Sequence, residues 1–333
     1  MMIGVDSITK DKNIRISFII PTYNCATYLN ETLQSVLSQM PNDCELIIVD
    51  DGSDEDTVYC LKSYEGICDQ MKIIFNKHHG VSVARNTGMD AAHGKFISFM
   101  DCDDMLQEGF FLNILPVLET KADMYIFSFD RINADGAIIP FVVDDKVYES
   151  VSDFADEYIR NRHLLIYSAC NKLYRKEVLD RNGIRFREDI SFGEDRLFNY
   201  DCLQYCEKII TSKTKMFNYM QRNDESASKR SFHNYFDTIM MLHHAKTDCF
   251  IGLSKGCSDM EKADFVGYDL STEIRHMLDR FDKYEDEKAE NLPRINQLLF
   301  GETADFSGAY GRETVLDKIS KTAALSYIRD LSK

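Results

Sequence analysis

Five short β-rich runs alternate with helical repeats between residues 15 and 129, and this rhythm leaves few folds open. The runs are Arg15–Ile20, Cys44–Val49, Met71–Phe75, Lys95–Met100 and Met124–Phe129. A strand that rejoins its sheet in the same direction needs a crossover of a dozen or more residues, usually a helix, so the pattern predicts parallel strands with helices on both faces. Between the first two runs, Leu29, Leu33, Val36, Leu37 and Met40 recur at helical spacing, with Asn30, Glu31, Gln34 and Gln39 opposite. Similar stretches at Glu55–Cys68, Val81–Ala92 and Glu108–Leu118 complete a doubly wound α/β unit. Ligands of such sheets sit beyond the carboxyl ends of the strands, so chemistry is expected in the residues just after each run.

Past Ile132 the rhythm loosens. A hairpin is expected near Asn133–Val147, helices at Val151–Arg160 and Lys176–Arg181, and a further strand at Lys215–Met220. Beyond Arg222 the pattern is mainly helical. Val266, Leu270, Ile274, Met277, Leu278 and Phe281 mark one amphipathic helix, and Val315, Ile319, Leu325 and Ile328 mark another. With 333 residues the chain exceeds what one core usually holds, about 250–300 residues. We divide it into a tail, 1–14, an α/β domain, 15–225, and a helical region, 226–333.

Hydrophobic residues at 44% and charged residues at 28% are the balance of an ordinary folded protein. The 39 basic against 55 acidic residues give a net charge of −16, which argues against a general nucleic-acid partner. No apolar run reaches membrane-spanning length, and Met1–Asn13 has no signal-peptide core, so the expectation is a soluble, cytoplasmic protein. Ten cysteines without a CxxC pair are expected as reduced thiols, with Cys202 and Cys206 facing the core.

Three strand ends carry the candidate chemistry. Pro21-Thr22-Tyr23-Asn24 follows the first run, where Pro21 stiffens the exit and Tyr23 offers a flat face to a base. Asp50-Asp51-Gly52-Ser53 follows the second. Ionised carboxylates only accept hydrogen bonds, so these suit ribose hydroxyls or a pyrimidine N–H rather than phosphate. Asp101-Cys102-Asp103-Asp104 follows the fourth and crowds three carboxylates that would raise one another's pKa unless a cation, typically a hard divalent metal, neutralised them. A solvated acidic turn with a helix cap would have the same sequence in isolation. Neither a Gly-rich dinucleotide fingerprint nor a GxxxxGK[ST] phosphate loop is present, so dehydrogenase and kinase readings lose their main support.

In this order, Ile19–Asn24, Val49–Ser53, Ala84-Arg85-Asn86-Thr87-Gly88 and Asp101–Asp104 resemble glycosyltransferase family 2 with its GT-A fold. The likeness is close over about residues 15–120, returns at Asn171-Lys172-Leu173-Tyr174 and Gly193-Glu194-Asp195, and fades after about residue 230. It implies an inverting hexosyltransferase of bacterial cell-surface polysaccharide or glycoconjugate synthesis, acting on a nucleoside diphosphate sugar, usually a UDP-sugar. The resemblance puts Pro21, Thr22, Tyr23, Asn24, Asp50, Asp51, Arg85, Asn86, Asp101 and Cys102 at the donor nucleotide. It puts Asp101, Asp103 and Asp104 at Mn²⁺ or Mg²⁺, and makes Asp195, beside Glu194, the base that takes the proton of the acceptor hydroxyl. The acceptor would be a glycan, a lipid-linked group or another hydroxyl compound.

Other basic residues are candidates of a second order. Lys172–Arg187 carries Lys172, Arg175, Lys176, Arg181, Arg185 and Arg187, a run that more often means a solvated helix face. Arg222 and Arg230 are a further candidate pair for the diphosphate. His78 and His79 are read as turn residues with an alternative at the donor, and His243 and His244 as core residues. For the 226–333 region the candidate roles are acceptor shaping, peripheral docking at the inner membrane face and pairing with a second copy. The competing function is a non-catalytic nucleotide-sugar-binding partner in a polysaccharide-assembly complex, and the complete set of aspartates argues against it.

Overall fold

The computed structural model describes residues 14–222, 234–281 and 284–300, with a few positions between 317 and 324. Its centre is β1 (Ile16–Thr22), buried at every position because it lies between β2 (Cys44–Asp50) and β4 (Phe96–Phe99), both parallel to it. β3 (Met71–Phe75) extends this parallel set beyond β2. The helices α1 (Ala26–Leu37), α2 (Glu55–Ser63) and α3 (Val81–Ala91) make the crossovers, and Asp54 caps α2 by accepting the Thr57 N–H. The four strands and three crossovers therefore follow the alternation read from the sequence.

The second half of the sheet is mixed. β6 (Met124–Ile132) follows α4 (Phe110–Leu118) but does not pair with β4. Between them lies β9 (Lys172–Arg175), antiparallel to both. β10 (Ile209–Met220) runs parallel to β6, and the two-residue β5 (Met105–Leu106) closes the edge antiparallel to β10. The expected hairpin is formed by β6 and β7 (Ile138–Phe141), through a turn with Gly136 at φ 83°. β8 (Lys146–Tyr148) leaves that hairpin and pairs with β10 instead.

After α5 (Val151–Asn161), α6 (Lys176–Arg181) and α7 (Glu194–Leu203) come three longer helices, α8 (Tyr235–Leu253), α9 (Asp259–Phe281) and α10 (Glu285–Phe300). The 266–281 repeat lies within α9; the expected tail, the soft boundary near 225 and the repeat at Val315, Ile319, Leu325 and Ile328 lie outside the described residues. α8 and α9 join the core of the α/β unit. The Phe250 ring stacks on Tyr158 of α5 at 4.0 Å between centroids, and Phe265 meets both edge-on. All ten cysteines are free, and Cys202 and Cys206 are buried as expected. Among the described residues no helix is long and apolar enough to cross a membrane.

One close approach fixes α3 against β1. A Cβ added at Gly88 would stand 2.3 Å from Ile19 Cγ2, a β-branched side chain buried in the core with no room to retreat. Gly88→Ala is therefore expected to lower stability by about 1–3 kcal/mol. Denaturant unfolding measures this, and an unchanged midpoint would show that the α3–β1 packing is looser than described.

Candidate functional site

The ends of β1 and β2 are tied together before any ligand is considered. The Thr22 carbonyl accepts the Asp51 N–H at 2.8 Å. Asn24, in the left-handed region at φ 48°, gives its N–H to Ser53 Oγ at 3.0 Å and accepts the Asp54 N–H at 2.8 Å. Tyr23 stays 44% exposed and stacks on His78, ring centroids 4.3 Å apart. Asp51 is buried, and its two carboxylate oxygens accept the N–H groups of His79 and Gly80 at 2.9 and 2.8 Å, with His78 Nδ1 2.8 Å away. It thereby shapes the turn into α3. Asp50 keeps more in hand: Oδ2 accepts the Ser53 N–H, while the buried Oδ1 has no partner among the described residues.

The third strand end is electrostatically loaded. Asp104 is buried, with Oδ1 on the Met220 N–H and Oδ2 without a partner among the described residues. Burial, then Asp101 and Asp103, hold its carboxyl well above the usual range. Burial and the Asp101 charge push Asp103 up to about 6, against the pull of Arg222. Arg222 donates to the Asp103 carbonyl at 3.1 Å and lies 3.8 Å from the Tyr28 ring centroid. Cys102 faces inward: its carbonyl takes the Thr32 hydroxyl, and contact with Cys25 together with burial pushes its thiol well up. Among the described residues no set of three or more His, Cys, Asp or Glu side chains is grouped to hold an ion by itself.

Arg85 links this strand end to a distant helix. It sits on the second turn of α3, is 3% exposed, and its guanidinium lies 5.1 Å from the Phe186 ring centroid. Nη2 reaches Asp101 Oδ1 at 3.1 Å, while Nη1 reaches Glu194 Oε1 at 3.1 Å and Asp195 Oδ1 at 2.6 Å. One buried fork thus gathers three of the expected site carboxylates, two of them more than 100 residues away in sequence. The next residue faces elsewhere. The Asn86 amide is engaged with the Phe186 N–H and carbonyl and with Glu188, so it braces the 186–188 segment.

Helix α7 presents the pair Glu194 and Asp195 in its first turn. Gly193 precedes them at φ 83°, a conformation that favours glycine, and a Cβ there would stand 2.5 Å from Leu242 of α8. Burial and the Asp195 charge raise the Glu194 carboxyl, and Arg85 opposes them. The second Asp195 oxygen accepts the Ala169 N–H at 2.9 Å. Its side chain keeps 19% of its surface, so the carboxylate has spare lone pairs and an opening toward solvent.

With this geometry in place, comparison with known proteins is informative. A family model described as Glycosyl transferase family 2 matches residues 17–183, half of the chain. The chain belongs to glycosyltransferase family 2. The glycosyltransferase EpsJ of Bacillus subtilis is 26% identical over 252 residues, which is 73% of this chain and 72% of that protein. The poly(ribitol-phosphate) beta-N-acetylglucosaminyltransferase TarP of Staphylococcus aureus is 29% identical over 242 residues, 69% of this chain and 72% of that protein. The crystal structure of S. aureus TarS 1–349 in complex with UDP-GlcNAc superposes with a TM-score of 0.67 at 20% identity, covering 95% of this chain and 92% of that one. The fold is shared, and this chain is a glycosyltransferase.

Elsewhere in the glycosyltransferase the basic run is divided, with Arg181 and Arg187 exposed as a solvated face would have them and Lys172 turned into the core. Lys172 is fully buried, Arg175 pairs with Asp123, Arg185 with Asp90 and Arg187 with Asp189. Arg230 lies outside the described residues. His243 is a core residue on Asp269, as expected, but His244 beside it is exposed, and His78 does more than turn the chain, since it backs Tyr23. A cavity of about 1130 Å³ opens at the opposite end of the sheet, lined by Arg15, Lys95, Phe96 and Arg181 among others, and none of the expected site residues lines it. Ala169, whose N–H bonds Asp195 Oδ2, and Asn199, which bonds the loop before it, were missed from the sequence, and so were the buried contacts of Lys172 and Tyr174. Only the Asn171–Tyr174 motif hinted at them.

Arg85→Met leaves the stem volume but strands three carboxylates. We expect a loss of about 3–5 kcal/mol at neutral pH, as for a broken buried ion pair. The loss shrinks at pH 5, because the Glu194 carboxyl, already raised by burial and by Asp195, can take up a proton once Arg85 no longer opposes it. Unfolding curves at both pH values measure it, and an equal loss at the two would mean that packing against Phe186, not charge, is what Arg85 supplies.

Proposed function

We propose that the chain transfers a hexosyl group, with inversion, from a nucleoside diphosphate sugar, by preference a UDP-sugar, to a hydroxyl of a glycan or glycoconjugate acceptor in cell-surface polysaccharide synthesis. TarP is named for transfer of N-acetylglucosamine to poly(ribitol phosphate), and the TarS fold has been captured with UDP-GlcNAc. The observation that carries the reading is the Arg85 fork, which sets Asp101 of the donor-side strand end beside Asp195 of α7 around one buried cation. A binding protein without turnover has no need of the second group.

Inversion requires the acceptor hydroxyl to attack the anomeric carbon from the face opposite the departing diphosphate. Asp195 is the group proposed to take the hydroxyl proton, since it is partly open and held at both oxygens by fixed donors. Glu194 shares Arg85, so one cation faces three carboxylates and the Glu194 carboxyl is raised by burial and by Asp195. On the donor side, Tyr23 on its His78 backing is proposed to stack on the base, and the unpartnered Asp50 Oδ1 to accept a ribose hydroxyl or base N–H. Pro21, Thr22, Asn24 and Asp51 shape that loop pair, Cys102 lies against its Cys25 end, and Asn86 braces the 186–188 segment instead.

The acidic strand end fits a divalent metal such as Mn²⁺ or Mg²⁺. Asp104 has a buried oxygen unpartnered among the described residues, Asp103 is pushed up to about 6 by burial and then by Asp101, and Asp101 is 42% open at its side chain. A bound cation would relieve that crowding and neutralise charge growing on the leaving diphosphate. Asp101 and Asp103 are the proposed ligands, with Asp104 behind them. Magnesium-type ions take one or two carboxylates and complete their shell with phosphate and water, so a full protein cage is not required.

Two substitutions test these assignments. Asp195→Asn is expected to lower kcat by about 10²- to 10⁴-fold while metal-dependent UDP affinity stays within about twofold; full activity ends the base assignment. Asp103→Ala is expected to weaken donor binding by more than the roughly 10-fold typical of an outer-shell metal partner. The weakening should appear only with divalent metal present, as read by titration calorimetry with and without chelator. An equal loss in chelator contradicts the metal role.

A further inference from the structure

The geometry points to Lys172 as a positioning residue that holds Asp195 in register through the 165–169 loop, an inference that rests on Asp195 being the base. Lys172 is the second residue of the motif at the start of β9 and is fully buried, an unusual place for a lysine. Among the described residues no carboxylate is in salt-bridge contact with it. Its Nζ donates instead to the Leu165 carbonyl at 2.8 Å, the Ser168 carbonyl at 2.5 Å and Asn171 Oδ1 at 2.7 Å, which accounts for all three donors of an ammonium.

The loop that these bonds hold has little freedom left. Leu165 sits at φ 50°, strained for a residue with a branched side chain, and its carbonyl is one of the three that Lys172 takes. From the side, Asn199 of α7 gives its amide to the Ile166 and Ser168 carbonyls at 2.8 and 3.1 Å, and Tyr174 donates to Asn199 Oδ1 at 2.6 Å. Ile166, Asn171, Tyr174 and Asn199 are buried, and Leu165 and Ser168 are half-buried. The loop hands one group upward, the Ala169 N–H, to Asp195 Oδ2. Arg85 fixes the other oxygen, so the orientation of the carboxylate is set by one cation from α3 and one backbone donor whose place depends on Lys172.

An ordinary structural lysine would be placed where removing it costs stability alone. Here the bonded loop ends on the reacting carboxylate, so slack in the loop becomes misplacement of the base. Misplacement by about 1 Å can cost about 100-fold in rate.

The test uses Lys172→Met in the full chain, which keeps the stem and removes the donors, alone and combined with Asp195→Asn. In the parent background kcat is expected to fall about 10- to 100-fold, with donor KM and UDP affinity within about twofold. In the Asp195→Asn background the same change should alter the residual single-turnover rate by less than about twofold, because a residue acting through Asp195 has nothing further to lose. A parent-like kcat, an equal loss in both backgrounds, or a matching loss of UDP affinity overturns the proposal. Full activity of Asp195→Asn alone is a different failure, that of the base assignment. If Lys172→Met does not fold, Lys172→Gln keeps two N–H donors and should give a smaller kcat loss with the same dependence on Asp195. Should neither variant fold at the assay temperature, Lys172 serves the fold only and the proposal falls.

Discussion

Arg85 is the constraint on which the site depends. A buried guanidinium must be surrounded by acceptors, because stranding it in a low-dielectric interior costs several kcal/mol. Here its acceptors come from two directions, Asp101 after β4 and the Glu194–Asp195 pair at the start of α7. The same requirement that stabilises the cation therefore brings chemistry from separate parts of the chain to one place. Its planar fork suits this role; a lysine would offer a point charge without the fixed spread of donors.

The parallel half of the sheet was legible because its signal is simple: apolar runs of four to seven residues at even spacing, each followed by polar loops. β9 was not, although its residues were noticed as a motif. Lys172 and Arg175 at its ends read as solvent-facing, and only the carbonyls of a loop folded back beneath it make a buried lysine tolerable. The antiparallel insertion of β9 between β4 and β6 likewise has no local signature, since a neighbour in the sheet is chosen by the whole topology.

The candidate site was legible by residue type more than by role. The aspartates were found because carboxylates at strand ends stand out. What each carboxylate does was hidden, since hydrogen-bond partners lie far off in sequence: Asp51 shapes a turn, Asp104 is tied to the end of β10, and Asp101 shares a cation with α7. Arg85 was recognised as a donor-pocket residue from the resemblance, but its burial against Phe186 depends on a segment a hundred positions downstream. Cys102 and Asn86 were placed at the donor by the resemblance, and in three dimensions the Cys102 thiol lies against Cys25 while the Asn86 amide is taken up by Phe186 and Glu188.

The contact of Gly193 with Leu242 changes what counts as the smallest working unit. The span that is recognisable as the family, 17–183, stops before α7, and α7 in turn enters the sheet edge against a helix that begins at Tyr235. Farther along, Arg196 reaches Glu273 of α9, so the turn bearing the acidic pair is gripped by both long helices. A hybrid assembled by grafting a foreign tail onto the α/β body would inherit the β1 and β2 loop ends intact yet receive a differently seated acidic pair. In this lineage, then, exchanging the long helices would also shift the geometry of the Glu194–Asp195 turn that they grip.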